Sequence, residues 1–145
     1  MKAERAKLKR LQRLEKVRAI AKQSAVTEAA RAENTYAQLS ALAERTGNLA
    51  ADYAARTDVV DGADLAMLRR FASGLQGIRA TTQADAERAQ AIADRRQIEL
   101  ASAERRRAAV EDRANAQARQ IAAKRQYGAQ SAFPANPKRF GTEPA

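Results

Sequence analysis

Cysteine, histidine and tryptophan are all missing from this 145-residue chain. Without thiols there are no disulfides and no Cys nucleophile. Without imidazole the usual zinc sets and the commonest acid–base catalyst are excluded too. Proline occurs three times, always beyond residue 133, so no ring interrupts the helical stretches before it. Aromatic residues make up 4% of the chain, too few for a thick globular core. No apolar run approaches the roughly 20 residues that cross a bilayer, and no apolar h-region follows the charged start. Carboxylates remain, but without His, Cys or a shaped pocket they lack an organising site. The expectation is a non-enzymatic protein with no metal, no cofactor and no small-molecule substrate.

What is present is mostly Ala, Glu, Lys, Leu and Arg, the composition of long helices and coiled coils. Alanine dominates the apolar 45%, and it buries little area per residue. Helix propensity is high over about 3–56, pauses over about 57–62, and resumes over about 63–126. The pause, within "ARTDVVDGADLAMLRRF" (55–71), carries stop and start chemistry. Thr57 and Asp58 favour local backbone hydrogen bonds, Asp61 suits an N-cap with Asp64 three residues on, and Gly62 loosens the joint. Two exposed valines, Val59 and Val60, sit in the gap. The segment 128–145 reads as a flexible, disordered tail because it holds all three prolines.

The heptad pattern predicts how the arms meet. In the first, Leu11, Leu14, Ala21, Ala25, Ala32, Leu39, Leu42, Leu49 and Tyr53 make one stripe. In the second, Leu65, Leu68, Ala72, Leu75, Ala86, Ala89, Ala93, Leu100, Ala103 and Val110 make another. Folding the chain at the pause pairs Tyr53 with Leu68, Ala32 with Ala89, and Leu11 with Val110, because both arms rise equally per residue. Arg18 would face Ala103 and Arg96 would face Ala25, each arginine reaching outward along its stem. The predicted fold is all-α, a long two-helix antiparallel coiled-coil hairpin. A single long helix pairing with another chain is the alternative.

The net charge of +10 is unevenly spread. Residues 1–22 hold nine Lys or Arg against two Glu, and 95–127 hold nine against four acids. Residues 23–94 hold seven against ten. A hairpin gathers the two basic segments together. An acidic protein socket would suit such an end. Nucleic acid is a weaker match, since Arg105, Arg106 and Arg107 come with no recognition motif and no stacking aromatics. A membrane surface does not suit it, because Leu8, Leu11, Leu14, Val17 and Ile20 recur every third residue and spread around the helix.

With those features in view, the chain resembles the FliJ family of bacterial flagellar export proteins. The matching stretches are "LQRLEKVRAIAKQSAVTEAARAENTYAQLSALAE" (11–44), "LAMLRRFASGLQGI" (65–78) and "RRQIELASAERRRAAVEDRANAQARQ" (95–120). The resemblance implies a coiled-coil stalk similar to the γ subunit of rotary ATPases. It would link and stimulate a hexameric export ATPase, contact the cytoplasmic domain of the export gate protein, and handle export chaperones. Such a protein would be cytoplasmic, associated peripherally with the inner membrane at the flagellar base. The positions matching the gate contact are Gln38, Leu42, Leu49, Phe71, Leu75, Ile78 and Thr82. Those expected at the ATPase ring are Arg10, Arg13, Lys16, Arg105, Arg106, Arg107 and Arg113. Phe71 is expected beside the seam and exposed, since Ala72 occupies its layer. A basic coiled coil that binds nucleic acid or the ribosome is the alternative function.

Overall fold

The computed structural model describes residues 1–56, 58 and 61–132. Thr57, Val59, Val60 and the segment 133–145, including the prolines of the expected tail, lie outside the described residues. Two helices make up the fold: α1 (Lys2–Ala54) and α2 (Gly62–Ser131). The start of α2 follows the capping chemistry of the sequence. Asp61 Oδ1 accepts a hydrogen bond from the Asp64 amide at 2.9 Å, and the Leu65 amide donates to the Asp61 carbonyl at 3.2 Å. An Asp at the N-cap satisfies one of the orphan amides of the first turn. The second arm, expected to end near residue 126, continues through Tyr127 and Gly128 to Ser131. One glycine costs a helix only about 1 kcal/mol, so the run persists until the approach to Pro134.

The helices group into two compact units. The central unit is Ala19–Arg106. Over the described residues the terminal unit combines 1–18 with 107–132.

In the central unit the cross-helix contacts run in opposite senses along the two chains. Tyr53 packs edge-on against Phe71, Gly47 lies against Arg79, and Glu28 pairs with Arg96. The terminal unit shows the same sense, with Glu15 against Arg107 and Glu4 against Lys124. The fold is therefore the antiparallel two-helix hairpin.

The stripe expected on the second arm lies at the interface almost throughout: Ala72, Ala86, Ala89, Ala93 and Val110 are buried, while Leu65 is exposed. On α1 the stripe requires correction. Leu14, Leu42 and Leu49 are each more than 40% exposed, and Ala21 is exposed. Ala29, Ala43 and Ala50 are buried instead, at 0–2% exposure. Both choices obey a seven-residue repeat, taken as three-then-four or four-then-three. At 29, 43 and 50 the helices select the smaller of the two candidate side chains, over Glu28, Leu42 and Leu49, whereas at 22 and 36 the same phase half-buries Lys22 and Tyr36 and leaves Ala21 and Thr35 exposed. An alanine seam lets the helix surfaces meet over more of their length, and the displaced leucines lie along its sides.

Arginines tolerated in this seam behave as their length allows. Arg96 directs its guanidinium away from the interface, to Glu28 on α1 at 3.4 Å and Glu99 on α2 at 2.9 Å. Hydrogen bonding to Glu99 holds its pKa above the ordinary value. Arg79 crosses α1 at Gly47, where a Cβ would come within 2.7 Å of Arg79 Nε. This close approach is what the absent side chain permits.

Candidate functional site

Two surfaces carry the residues singled out by sequence. The first belongs to the central unit. Leu42 and Leu49 each precede a buried alanine of α1, while Phe71 precedes buried Ala72 and Ile78 precedes Arg79 on α2. In an antiparallel pair these equivalent flanking positions lie on one side of the seam. All four are 44–55% exposed, so they form one apolar flank with two side chains from each helix.

Phe71 is exposed as expected, and its ring meets Tyr53 at a centroid distance of 4.7 Å and an interplanar angle of 75°. Tyr53 in turn lies 4.4 Å from the Arg56 guanidinium, an exposed cation–π contact. Together with Asp58, Asp64, Met67 and Leu68 these residues line a cleft of about 480 Å³. Met67, 68% exposed, extends the apolar surface. Sequence reasoning passed over it because it falls outside the heptad stripe. Tyr53, Leu65, Leu68 and Ala72 line a neighbouring groove. The expected register requires correction: Tyr53 meets Phe71, Gly47 meets Arg79 and Glu28 meets Arg96, each three to five residues further along α2 than the pairing that set Tyr53 on Leu68 and Arg96 on Ala25.

Other members of the set sit differently. Gln38 is exposed and Leu75 is half-buried. Thr82 is a correction: it is 7% exposed, and its hydroxyl donates to the Ile78 carbonyl at 2.9 Å. A side chain at the seam with its only donor turned back into its own helix offers nothing to a partner.

The second surface is the basic one. Arg10, Arg13, Lys16 and Arg113 are exposed in the terminal unit. Arg107 is half-buried there, and its guanidinium bonds Glu15 at 3.3 Å. Arg105 and Arg106 are exposed and close the central unit's stretch of α2. Over its described residues the terminal unit carries thirteen Lys or Arg against four Asp or Glu, whereas the central unit carries twelve of each. Two of the terminal unit's four acids are engaged, Glu15 with Arg107 and Glu4 with Lys124. The hydrogen bond from Lys124 holds the Glu4 carboxyl below the usual carboxylate range. Lys7, Leu11, Arg113, Gln117 and Gln120 border a mixed cationic and apolar cleft of about 410 Å³.

Among the described residues no group of three or more Asp or Glu is placed to hold a metal ion. None of the described helices is long and apolar enough to cross a membrane. Fold and surfaces together define an all-α helical hairpin with an apolar flank on one unit and an excess of cations on the other. Comparison with known protein families, with curated proteins and with solved structures returns no match to this chain.

Proposed function

We propose that this protein is a non-enzymatic stalk of the bacterial flagellar, type III, export apparatus. In this reading the basic terminal unit engages the hexameric export ATPase and promotes its activity. The flank of Leu42, Leu49, Phe71 and Ile78 docks on the cytoplasmic domain of the export gate protein, and export chaperones are further partners. The protein then works in the cytoplasm, held peripherally at the inner membrane beneath the flagellum. One observation carries the reading: an apolar flank on a charge-balanced unit coexists with a unit holding thirteen cations against four acids. That combination suits a protein with two chemically different partners, one met by burial and one by charge.

The test is reconstitution with the purified export ATPase and the gate's cytoplasmic domain. Replacing Arg10, Arg13 and Lys16 with Gln is expected to reduce ATPase stimulation several-fold while leaving gate binding intact. Phe71→Ala is expected to weaken gate binding by about tenfold or more, with helicity retained. Stimulation that survives the triple change would remove the role given to the basic unit.

The cation excess also supports a second reading, in which the terminal unit binds a phosphate backbone. Affinity would then fall steeply with rising salt and would be indifferent to Phe71→Ala.

A further inference from the structure

Five of the six glycines lie in α1 or α2, and they are not alike. Gly47 lies beneath the Arg79 side chain, which would have to move aside for a Cβ there. Gly74 and Gly77 face open space, since among the described residues a Cβ at either would meet no atom within 4 Å. Each is a poorer helix former than alanine. Gly74 has a special place. Phe71, Gly74, Leu75 and Ile78 stand at i, i+3, i+4 and i+7, the four corners of a hole that receives a knob in helix packing. Two corners, Phe71 and Ile78, are 50% and 55% exposed, and Gly74 leaves the hole open. The corresponding four residues on α1 are Leu42, Arg45, Thr46 and Leu49, where Arg45 obstructs the hole but Leu42 and Leu49 project as knobs.

We infer that a second copy of this chain occupies that hole, the two central units pairing through their apolar flanks. Knobs and hole lie at matching levels. Leu49 falls between Gly47 and Tyr53, whose partners Arg79 and Phe71 bracket the hole on α2. A two-fold axis parallel to the helices therefore sets Leu49 of each copy over the Phe71–Gly74–Leu75–Ile78 hole of the other. The contact is self-complementary, as an isologous interface must be.

Charge permits it in the central unit, whose twelve cations and twelve acids balance. Area sets its strength. Leu42, Leu49, Met67, Phe71 and Ile78 together expose on the order of 500 Å² of side chain, against the roughly 800 Å² per partner of a standard interface. A pair of this size is a weak, concentration-dependent dimer. Long-range repulsion between two +10 chains opposes it, so added salt strengthens the association.

Sedimentation of the full chain over a concentration series, at two salt concentrations, tests the pairing. The expected result is a mass that climbs from 15.8 kDa towards twice that value as concentration rises, at lower concentration in higher salt. Gly74→Leu fills the hole and is expected to weaken association tenfold or more with helicity unchanged. Gly77→Ala, a helix-favouring change outside the hole, is expected to leave association within twofold. A mass that stays at one chain up to millimolar concentration overturns the inference, even where the gate domain binds the same flank. Self-association indifferent to Gly74→Leu overturns it equally.

Discussion

The central and terminal units are built from the same two helices by different rules. In the central unit the fully buried residues are all small, Ala29, Ala43, Thr46, Ala50, Ala72, Thr82, Ala86, Ala89 and Ala93, with Tyr36, Leu39, Leu75 and Leu100 and the charged Lys22, Asp85 and Arg96 half-buried beside them. In the terminal unit the buried residues are Val110, Ala114, Gln117 and Ile121, and Glu4, Glu15, Arg18 and Arg107 lie half-buried beside them. Among the described residues, the three buried polar atoms without a hydrogen-bond partner, Glu4 Oε2, Arg18 Nε and Arg107 Nε, all belong to the terminal unit. Desolvated groups without partners subtract from stability, a cost that falls on the terminal unit among the described residues. The comparison teaches that one seven-residue repeat can encode a tight joint in one region and a loose, charged one in another. Hydrogen exchange should therefore show slower amides in the central unit's α1 and α2 than in 1–18 and 107–132.

The sharpest way to break the contrast is to overfill the tight seam. Ala43 is 1% exposed, and Ala43→Leu should force the helices apart at a cost of about 1–3 kcal/mol. Urea unfolding measures this directly, and an unchanged midpoint would mean that small size is not what the seam requires. In the terminal unit the opposite change should help. Replacing Glu15 and Arg107 together with Leu and Met exchanges a half-buried ion pair for apolar packing, and should be neutral or stabilising by about 1 kcal/mol. Glu15→Ala alone leaves Arg107 without its partner and should lose about 1 kcal/mol.

Glycines sharpen the comparison within the central unit. Gly77→Ala should raise stability by up to about 1 kcal/mol. Gly47→Ala should gain less, because Arg79 must leave its place across α1.

Smallest is the acid response. The Glu4 carboxyl titrates below its ordinary range when folded, so its contribution is full above the unfolded pKa and is lost as pH falls through the folded one. Acidification below about pH 4 should therefore loosen 1–18 and 107–132 before the central unit responds, as followed by amide exchange.

Much of this was legible in advance, and the misreadings have a common cause. The two helices, the Asp61 cap, the α2 stripe and the exposure of Phe71 follow from local propensity and periodicity, which depend on neighbours in sequence. On α1 the expected stripe divides: Leu11, Ala25, Ala32, Leu39 and Tyr53 are half-buried, whereas Leu14, Leu42 and Leu49 fall outside the seam although burial of large side chains is the usual signal. That signal fails where close approach of two helices is worth more than the area of any one residue. Thr82 shows the same limit at the candidate site. Its number matched a docking position, yet its side chain closes the seam.

By itself, then, the sequence determined the helices, the cap that restarts the chain, the absence of thiol and imidazole chemistry, and the uneven charge. Only the tertiary structure decided which of two heptad phases is buried in α1, and hence that Leu42 and Leu49 stand outside with Phe71 and Ile78. Periodicity fixes the angle between residues on one helix. Which angle faces the partner is settled by how closely two surfaces can approach, a property that neither helix has alone.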